Sequence, residues 1–383
     1  IAGGPGNGDG VRLMSCQIFD GSMSGSDAQN ATAFIYAADN GACIAQCSYG
    51  NSFAITEDDL YINGGKITYD GKEVDVDGSP LENAALKYFL DPANSNHESL
   101  EGNIAVFAAG NHQTPYSSYP GALPYVISVT AFGADYLPGG YTNYGPGCKI
   151  AAPGGEYFDQ NNYGMMILST GVSNAAQSSP GIEGNRNYVY MQGTSMACPH
   201  VSGVVALGIS YAKKLGKKFS REDFISRLLT SAVDIDSYLT GSTMKLMVEG
   251  GRYVSVDVFP KKGKMGAGAV NAWKFLMALE GTPTVVVKAG ESTTVNLADY
   301  LGETVRNFEY QCDIDEASKA SLGIDSVPVV NDGTITIKCD RTGAGKIRFS
   351  SSVGQEGQIT GLDFFRELSI VSRSNVAENG GWL

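Results

Sequence analysis

Ser195 stands in the run Gly193-Thr194-Ser195-Met196-Ala197-Cys198-Pro199-His200-Val201-Ser202-Gly203, from which apolar residues recur at helical spacing as far as Lys214. A helix that opens directly after a loop places its first-turn serine at the N-terminus with the hydroxyl accessible. Free backbone N–H groups and the positive end of the helix dipole there favour the oxyanion formed when a serine attacks a carbonyl. Pro199 is expected to sit early enough in the helix to need no donated N–H. Read in isolation, Gly-Thr-Ser is just as good an N-cap, with Thr194 or Ser195 as the capping side chain. Upstream, Ala108-Ala109-Gly110-Asn111 closes an apolar run, and the carboxyl end of a strand is where open α/β sheets hold ligands. Alone, Gly-Asn there is a strand-ending turn.

These residues need a scaffold, and the pattern supplies one. Val11 to Phe19 reads as a strand. Ser26 to Asn40 reads as a helix capped by Ser26 or Asp27, and Ala42 to Ser48 as a short buried strand. A second helix and strand follow at Leu81 to Phe89 and Asn103 to Ala109, then a strand at Tyr125 to Ala131 and helices at Thr194 to Lys214 and Arg221 to Ala232. Alternation of this kind means a parallel α/β sheet flanked by helices. Between Gly50 and Leu81, the arms Leu60 to Asn63 and Lys66 to Tyr69 around Gly64-Gly65 predict a hairpin. After Gly281 the β-branched runs Thr284 to Lys288, Thr293 to Leu297, Thr334 to Lys338 and Lys346 to Ser350 predict a small β-sandwich-like domain.

With 383 residues, 43% hydrophobic and 17% charged, the chain can fill one large core and a smaller one. A formal net charge of -13, with no block of Lys or Arg, argues against a nucleic-acid or anionic-membrane partner. No run of eighteen apolar residues marks a membrane span. Seven cysteines cannot all pair. Cys43 and Cys47 stand roughly 13 Å apart on one extended strand, too far to bridge. Cys312 and Cys339 are the pair worth testing.

The eleven-residue run around Ser195 resembles the nucleophile motif of subtilisin-like serine peptidases almost letter for letter, with Cys198 in place of a small residue. Ala108-Ala109-Gly110-Asn111 is similar to the family segment whose Asn donates to the oxyanion. Ala37 to Gly50 resembles the helix end and strand leading into the substrate-pairing segment, here Ser48-Tyr49-Gly50. Tyr119 to Val129, Tyr144 to Gly147, Ala152-Pro153-Gly154 and the closing Gly266 to Ala272 continue the likeness over about residues 1–280, with insertions at 51–80 and 173–188.

The resemblance implies a secreted or envelope-associated serine endopeptidase acting on peptide or protein substrates. Ser195 would be its nucleophile and Asn111 would lie in the oxyanion hole. Ser48, Tyr49 and Gly50 would bind extended peptide backbone, and Ala108, Ala109 and Gly110 would form the wall of an apolar specificity pocket. Residues 281–383 would be an accessory domain. No cofactor is required. The family likeness admits a structural Ca2+, but Asp70, Asp75 and Asp77 form no recognisable ligand loop, so no metal ligands are assigned.

The family presents Asp, His and Ser in that order, and only the serine motif is found here. Ile1-Ala2-Gly3-Gly4 followed by Val11 to Met14 looks like the segment just after the catalytic histidine helix. The expectation is therefore that both missing residues lie upstream of Ile1, that this chain alone is inactive, and that an N-terminal fragment is a partner. His200 belongs to the nucleophile motif as a core histidine, and nothing in the sequence marks out the carboxylate and geometry that would make His112 a base. A non-catalytic peptide-binding relative is the main alternative. A binding role for the β-rich tail is a third, against which stands a simple bracing role.

Overall fold

The computed structural model describes residues 11–19, 25–50, 61–63, 66–69, 72–75, 79–157, 163–171, 181–182, 185–249, 252–281, 283–301, 310–352 and 363–374. Its centre is a parallel sheet of four strands in the order Ile44–Cys47, Ile104–Ala108, Ile127–Phe132 and Ile150–Pro153. Strand side chains alternate between faces, and this decides what each strand packs against. Ile104, Val106 and Ala108 face the helix Thr194–Lys214, in a cluster with Val129, Ile150, Val201, Phe224 and Phe275. Ala105 and Phe107 face the other way, onto the helices Asp27–Asp39 and Pro80–Leu90, where they meet Phe34 and Phe89. A strand buried on both faces reads as a continuous apolar run, as Ile104–Ala108 does.

Local signals account for the helix starts. Ser26 caps Asp27–Asp39 in a full capping box with Gln29, and Ser79 caps Pro80–Leu90 with Pro80 in the first turn. The helix Arg221–Thr230 follows Ser220, whose side chain accepts from Asp223, and Asn271 caps the helix Ala272–Glu280. Val11 to Phe19 does not form the expected strand: residues 11–19 carry no ladder pairing among the described residues. Composition alone cannot make a strand where no neighbour supplies hydrogen bonds.

Tyr61–Asn63 and Lys66–Tyr69 pair antiparallel as predicted, with Lys72–Asp75 as a third strand, while Gly64-Gly65 lies outside the described residues. An antiparallel pair that the sequence reading did not anticipate, Met244–Glu249 with Arg252–Asp257, precedes the closing motif. Past residue 281 two sheets share one apolar cluster. One holds Thr284–Lys288, Asp363–Arg373, Gly343–Ser352 and Gln311–Asp313; the other holds Ser292–Asn296, Thr334–Lys338 and Val330–Asn331. The pattern is less regular than a simple sandwich, since Thr284–Lys288 runs parallel to Asp363–Arg373 and the helices Ala298–Leu301 and Glu316–Leu322 intervene. Cys312 and Cys339 are separate thiols: Cys312 lies in a strand of the first sheet and Cys339 follows a strand of the second.

Phe107 is fully buried and makes ring contacts with Phe34 and Tyr49, linking the sheet to the helix layer. Phe107→Ala is expected to cost about 3 to 5 kcal/mol, measured as a lowered midpoint of chemical unfolding with little change in slope.

Candidate active site

The helix bearing Ser195 starts in an unusual way. Gly193 occupies the cap position at φ 146°, a conformation that favours glycine, and no side chain of the helix caps it. Neither Thr194 nor Ser195 is therefore the N-cap that the isolated sequence allows. The first-turn donors are satisfied from elsewhere: Met196 and Ala197 N–H donate to the Gly193 carbonyl, at 3.0 and 3.2 Å. The Thr194 N–H donates to Asn111 Oδ1 at 2.8 Å, and the Thr194 hydroxyl donates to the same oxygen at 2.9 Å. Gly110 N–H completes the link by donating to Thr194 Oγ1 at 3.1 Å. The Ser195 N–H has no backbone acceptor among the described residues, as expected of a second-position helix amide.

Ser195 itself is half-buried, and its Oγ donates to the Ser48 carbonyl at 3.2 Å while Ser48 Oγ donates to the Ser195 carbonyl at 2.7 Å. This reciprocal pair corrects the reading of Pro199. Pro199 lies inside the helix, where its ring nitrogen has no proton for the carbonyl four residues back, and that carbonyl belongs to Ser195. The Ser48 hydroxyl replaces the missing donor and ties the helix to the end of the first strand. Cys198, fully buried, lies 3.3 Å by its Sγ from the Val106 carbonyl. Burial pushes its thiol up to about 11, so it stays protonated and acts as a packing group.

The loop bearing Asn111 is held from behind. Asn143, buried, donates through Nδ2 to the Ala109 carbonyl at 3.0 Å and accepts through Oδ1 from His112 N–H at 2.9 Å and Thr114 N–H at 3.1 Å. Its own N–H donates to the Gly110 carbonyl at 3.0 Å. Gly110 has φ +110°, and a Cβ there would collide with Asn143 Nδ2 and Ser118 Oγ. Asn143 carries no sequence signal of its own, because its role is made by contacts about thirty residues away in the chain.

The residues expected to bind substrate fall into two groups. Ser48 and Gly50 are exposed, Ala108 and Ala109 are buried, and Gly110 is half-buried at the strand end. The Tyr49 side chain turns away from this edge. Its ring packs on Phe107 and its hydroxyl donates to Glu82 Oε1 at 2.8 Å, so its backbone and not its ring lies at that edge. Glu82 is buried and also accepts from Asn30 Nδ2 at 3.0 Å.

Ser195 Oγ is hydrogen-bonded to a carbonyl and to no imidazole among the described residues. His200 is half-buried, with Nδ1 2.8 Å from the Met196 carbonyl one helical turn back. His97 lies by Lys213, its pKa lowered first by burial and then by that charge. His112 is exposed next to Asn111. No group of three His, Cys, Asp or Glu side chains among the described residues could hold a metal ion, and Asp70, Asp77 and the Asp75 side chain lie outside them.

Residues 2–266 match the sequence profile of the Subtilase family. The chain belongs to this family. Among curated subtilase relatives, it is 30% identical over 197 residues to a thermophilic serine proteinase of Bacillus sp. (strain AK1), covering 51% of this chain and 35% of that protein. It is 28% identical over 215 residues to fervidolysin of Fervidobacterium pennivorans, covering 52% of this chain and 24% of the relative. The chain thus matches about a third or less of the length of these relatives. Among solved structures, the prenylagaramide maturation protease PagA is 21% identical, with a TM-score of 0.44, and the match covers 68% of this chain and 71% of that one.

Gly110→Ala should cost roughly 2 kcal/mol or more, because both the positive φ and the packed Asn143 oppose a methyl group. A midpoint of unfolding within error of the parent would contradict this account of the loop. Glu82 makes a pH prediction. Burial pushes its carboxyl above the ordinary 4.5, against the hydrogen bonds from Tyr49 and Asn30 that favour ionisation. The folded chain therefore holds this proton to higher pH than the unfolded chain, and the stability it contributes is present below 4.5 and lost as pH rises through the folded value. Glu82→Gln, which keeps an oxygen for both donors, is expected to gain stability relative to the parent between pH 4 and pH 7. Parallel pH profiles for the two proteins would refute it.

Proposed function

We propose that the complete protein is a secreted serine endopeptidase acting through an acyl-enzyme. Ser195 Oγ attacks the peptide carbonyl carbon, and a base takes the hydroxyl proton as the tetrahedral oxyanion forms. On collapse, the leaving amine receives that proton, and water repeats the sequence to release the acid. The observation that carries this reading is the locking of Asn111 Oδ1 onto Thr194. With its oxygen fixed by two donors, the side-chain amide has only N–H bonds left to offer, beside a Ser195 N–H that the helix does not use. Two such donors form an oxyanion hole, and loss of one lowers turnover by ~10² to 10³ in a subtilisin donor of this kind.

Peptide backbone would lie along Ser48 to Gly50 as an added strand, against the small Ala108-Ala109-Gly110 wall. The base and its orienting carboxylate come, in this proposal, from a segment outside residues 1–383, a reading supported by Ser195 Oγ donating to the Ser48 carbonyl while His200 Nδ1 lies on the Met196 carbonyl. Residues 1–383 alone are then inactive, because serine without a base is a weak nucleophile. Residues 1–280 form the peptidase domain. Residues 281–383 form an accessory domain that braces it, a role supported by the packing of the helix Arg221–Thr230 against the strand Asp363–Arg373. A second reading, a peptide-binding relative without catalysis, draws on the same hydrogen bond from Ser195 Oγ to a carbonyl in place of a base.

A fluorophosphonate probe distinguishes the two. The full-length protein should be labelled on Ser195, with labelling abolished in Ser195→Ala and absent from residues 1–383 alone. Folded full-length protein that takes up no probe would favour the binding reading and sink the peptidase.

A further inference from the structure

Among the described residues, the segment from Met244 to Lys261 makes no hydrogen bond to Ser195 or Asn111, yet two of its lysines end inside the protein. Lys245 is 5% exposed and donates to Glu156 Oε2 at 2.6 Å and Asp135 Oδ1 at 3.0 Å. Lys261 is 2% exposed, and it donates to no carboxylate among the described residues. Its Nζ donates to three backbone carbonyls, of Gly139 and Gly140 at 2.8 Å and of Thr142 at 3.1 Å, with the Tyr144 ring 5.6 Å away. An ammonium has three protons, and here each has one acceptor.

Such burial is costly: desolvation first, then the Lys245 charge, lowers the pKa of Lys261 to about 7, with the Glu156 carboxylate opposing. An apolar side chain would fill the same space at less expense. What the head group adds is a fixed position for the turn from Gly139 to Thr142, three carbonyls converging on one point.

That turn leads straight into the oxyanion loop. Thr142 is followed by Asn143, which holds the Ala109 carbonyl and the His112 and Thr114 amides, the residues on either side of Asn111. We propose that Lys261 is a positioning residue for the oxyanion hole: by gathering the Gly139, Gly140 and Thr142 carbonyls it sets Asn143, and through Asn143 the loop that aims Asn111. It touches no substrate. The catalytic part of this inference rests on the peptidase reading above; the structural part does not.

Two measurements on the full-length protein test it. Lys261→Met keeps the stem and removes the donors, so hydrogen exchange at the His112 and Thr114 amides should quicken while the nucleophile helix remains protected. Unchanged exchange at those amides overturns the proposal, whether or not the protein is a peptidase. In peptide hydrolysis, Lys261→Met should lower kcat roughly tenfold with KM nearly unchanged, as a misaimed donor does. The same substitution in an Asn111→Ala background should have less than about a twofold further effect, because the group it aims is gone. An equal loss in both backgrounds, or a loss confined to KM, would show that Lys261 acts on general stability and not through Asn111. Where Lys261→Met does not fold, Lys261→Gln, which keeps two N–H donors, serves in the same cycle with a smaller loss expected. A parent protein that hydrolyses no peptide refutes the peptidase reading and leaves the exchange result to decide the positioning claim.

Discussion

Two hydrogen bonds to one oxygen organise this site. Asn111 Oδ1 accepts from both the amide and the hydroxyl of Thr194, so a loop at the end of one strand is pinned to the first turn of the helix that carries Ser195. A helix N-terminus without a side-chain cap leaves donors that something must satisfy. Here the partner comes from a residue 83 positions upstream, and the satisfaction of that donor is also what orients the amide of Asn111. Helix capping and the orientation of the Asn111 amide are thus one interaction seen from its two ends.

The rest of the fold supports that contact. Phe107 and Val106, pointing to opposite faces of one strand, anchor it between two helix layers, so the strand end at Ala108 to Asn111 is placed by the core and not by the loop. Gly193, at φ 146°, lets the chain turn into the helix, and Gly110, at φ 110°, leaves room for Asn143 and Ser118 against the strand end. The Ser48 hydroxyl binds the carbonyl that Pro199 leaves without a donor, and so fixes the helix against the end of the first strand. A proline that would weaken an ordinary helix here frees an acceptor for a cross-link.

Much of this was legible in the residues. The helix Thr194–Lys214 and the strand Ile104–Ala108 follow from hydrophobic period and length, and Ser26 and Gln29 announce their capping box. The Ser195 and Asn111 motifs gave the family. What stayed hidden depends on distant partners. Nothing local in Thr194, Asn143 or Lys261 marks them as the links of one chain of contacts, because each acts on residues 25 or more positions away. Val11 to Phe19 has strand composition and no strand, since it finds no pairing neighbour among the described residues. Tyr49 stands in the segment expected to pair with peptide backbone, and its side chain turns inward because a buried carboxylate, Glu82, offers its hydroxyl an acceptor.

The proposed chemistry depends on where an oxyanion would lie. The most direct measurement is a high-resolution structure of the full-length protein with a peptidyl phosphonate bound covalently to Ser195. The predicted result is a phosphoryl oxygen within hydrogen-bonding distance of both Asn111 Nδ2 and the Ser195 N–H, with Asn111 Oδ1 still on Thr194. An adduct oxygen directed away from Asn111, or an Asn111 side chain released from Thr194, would contradict it.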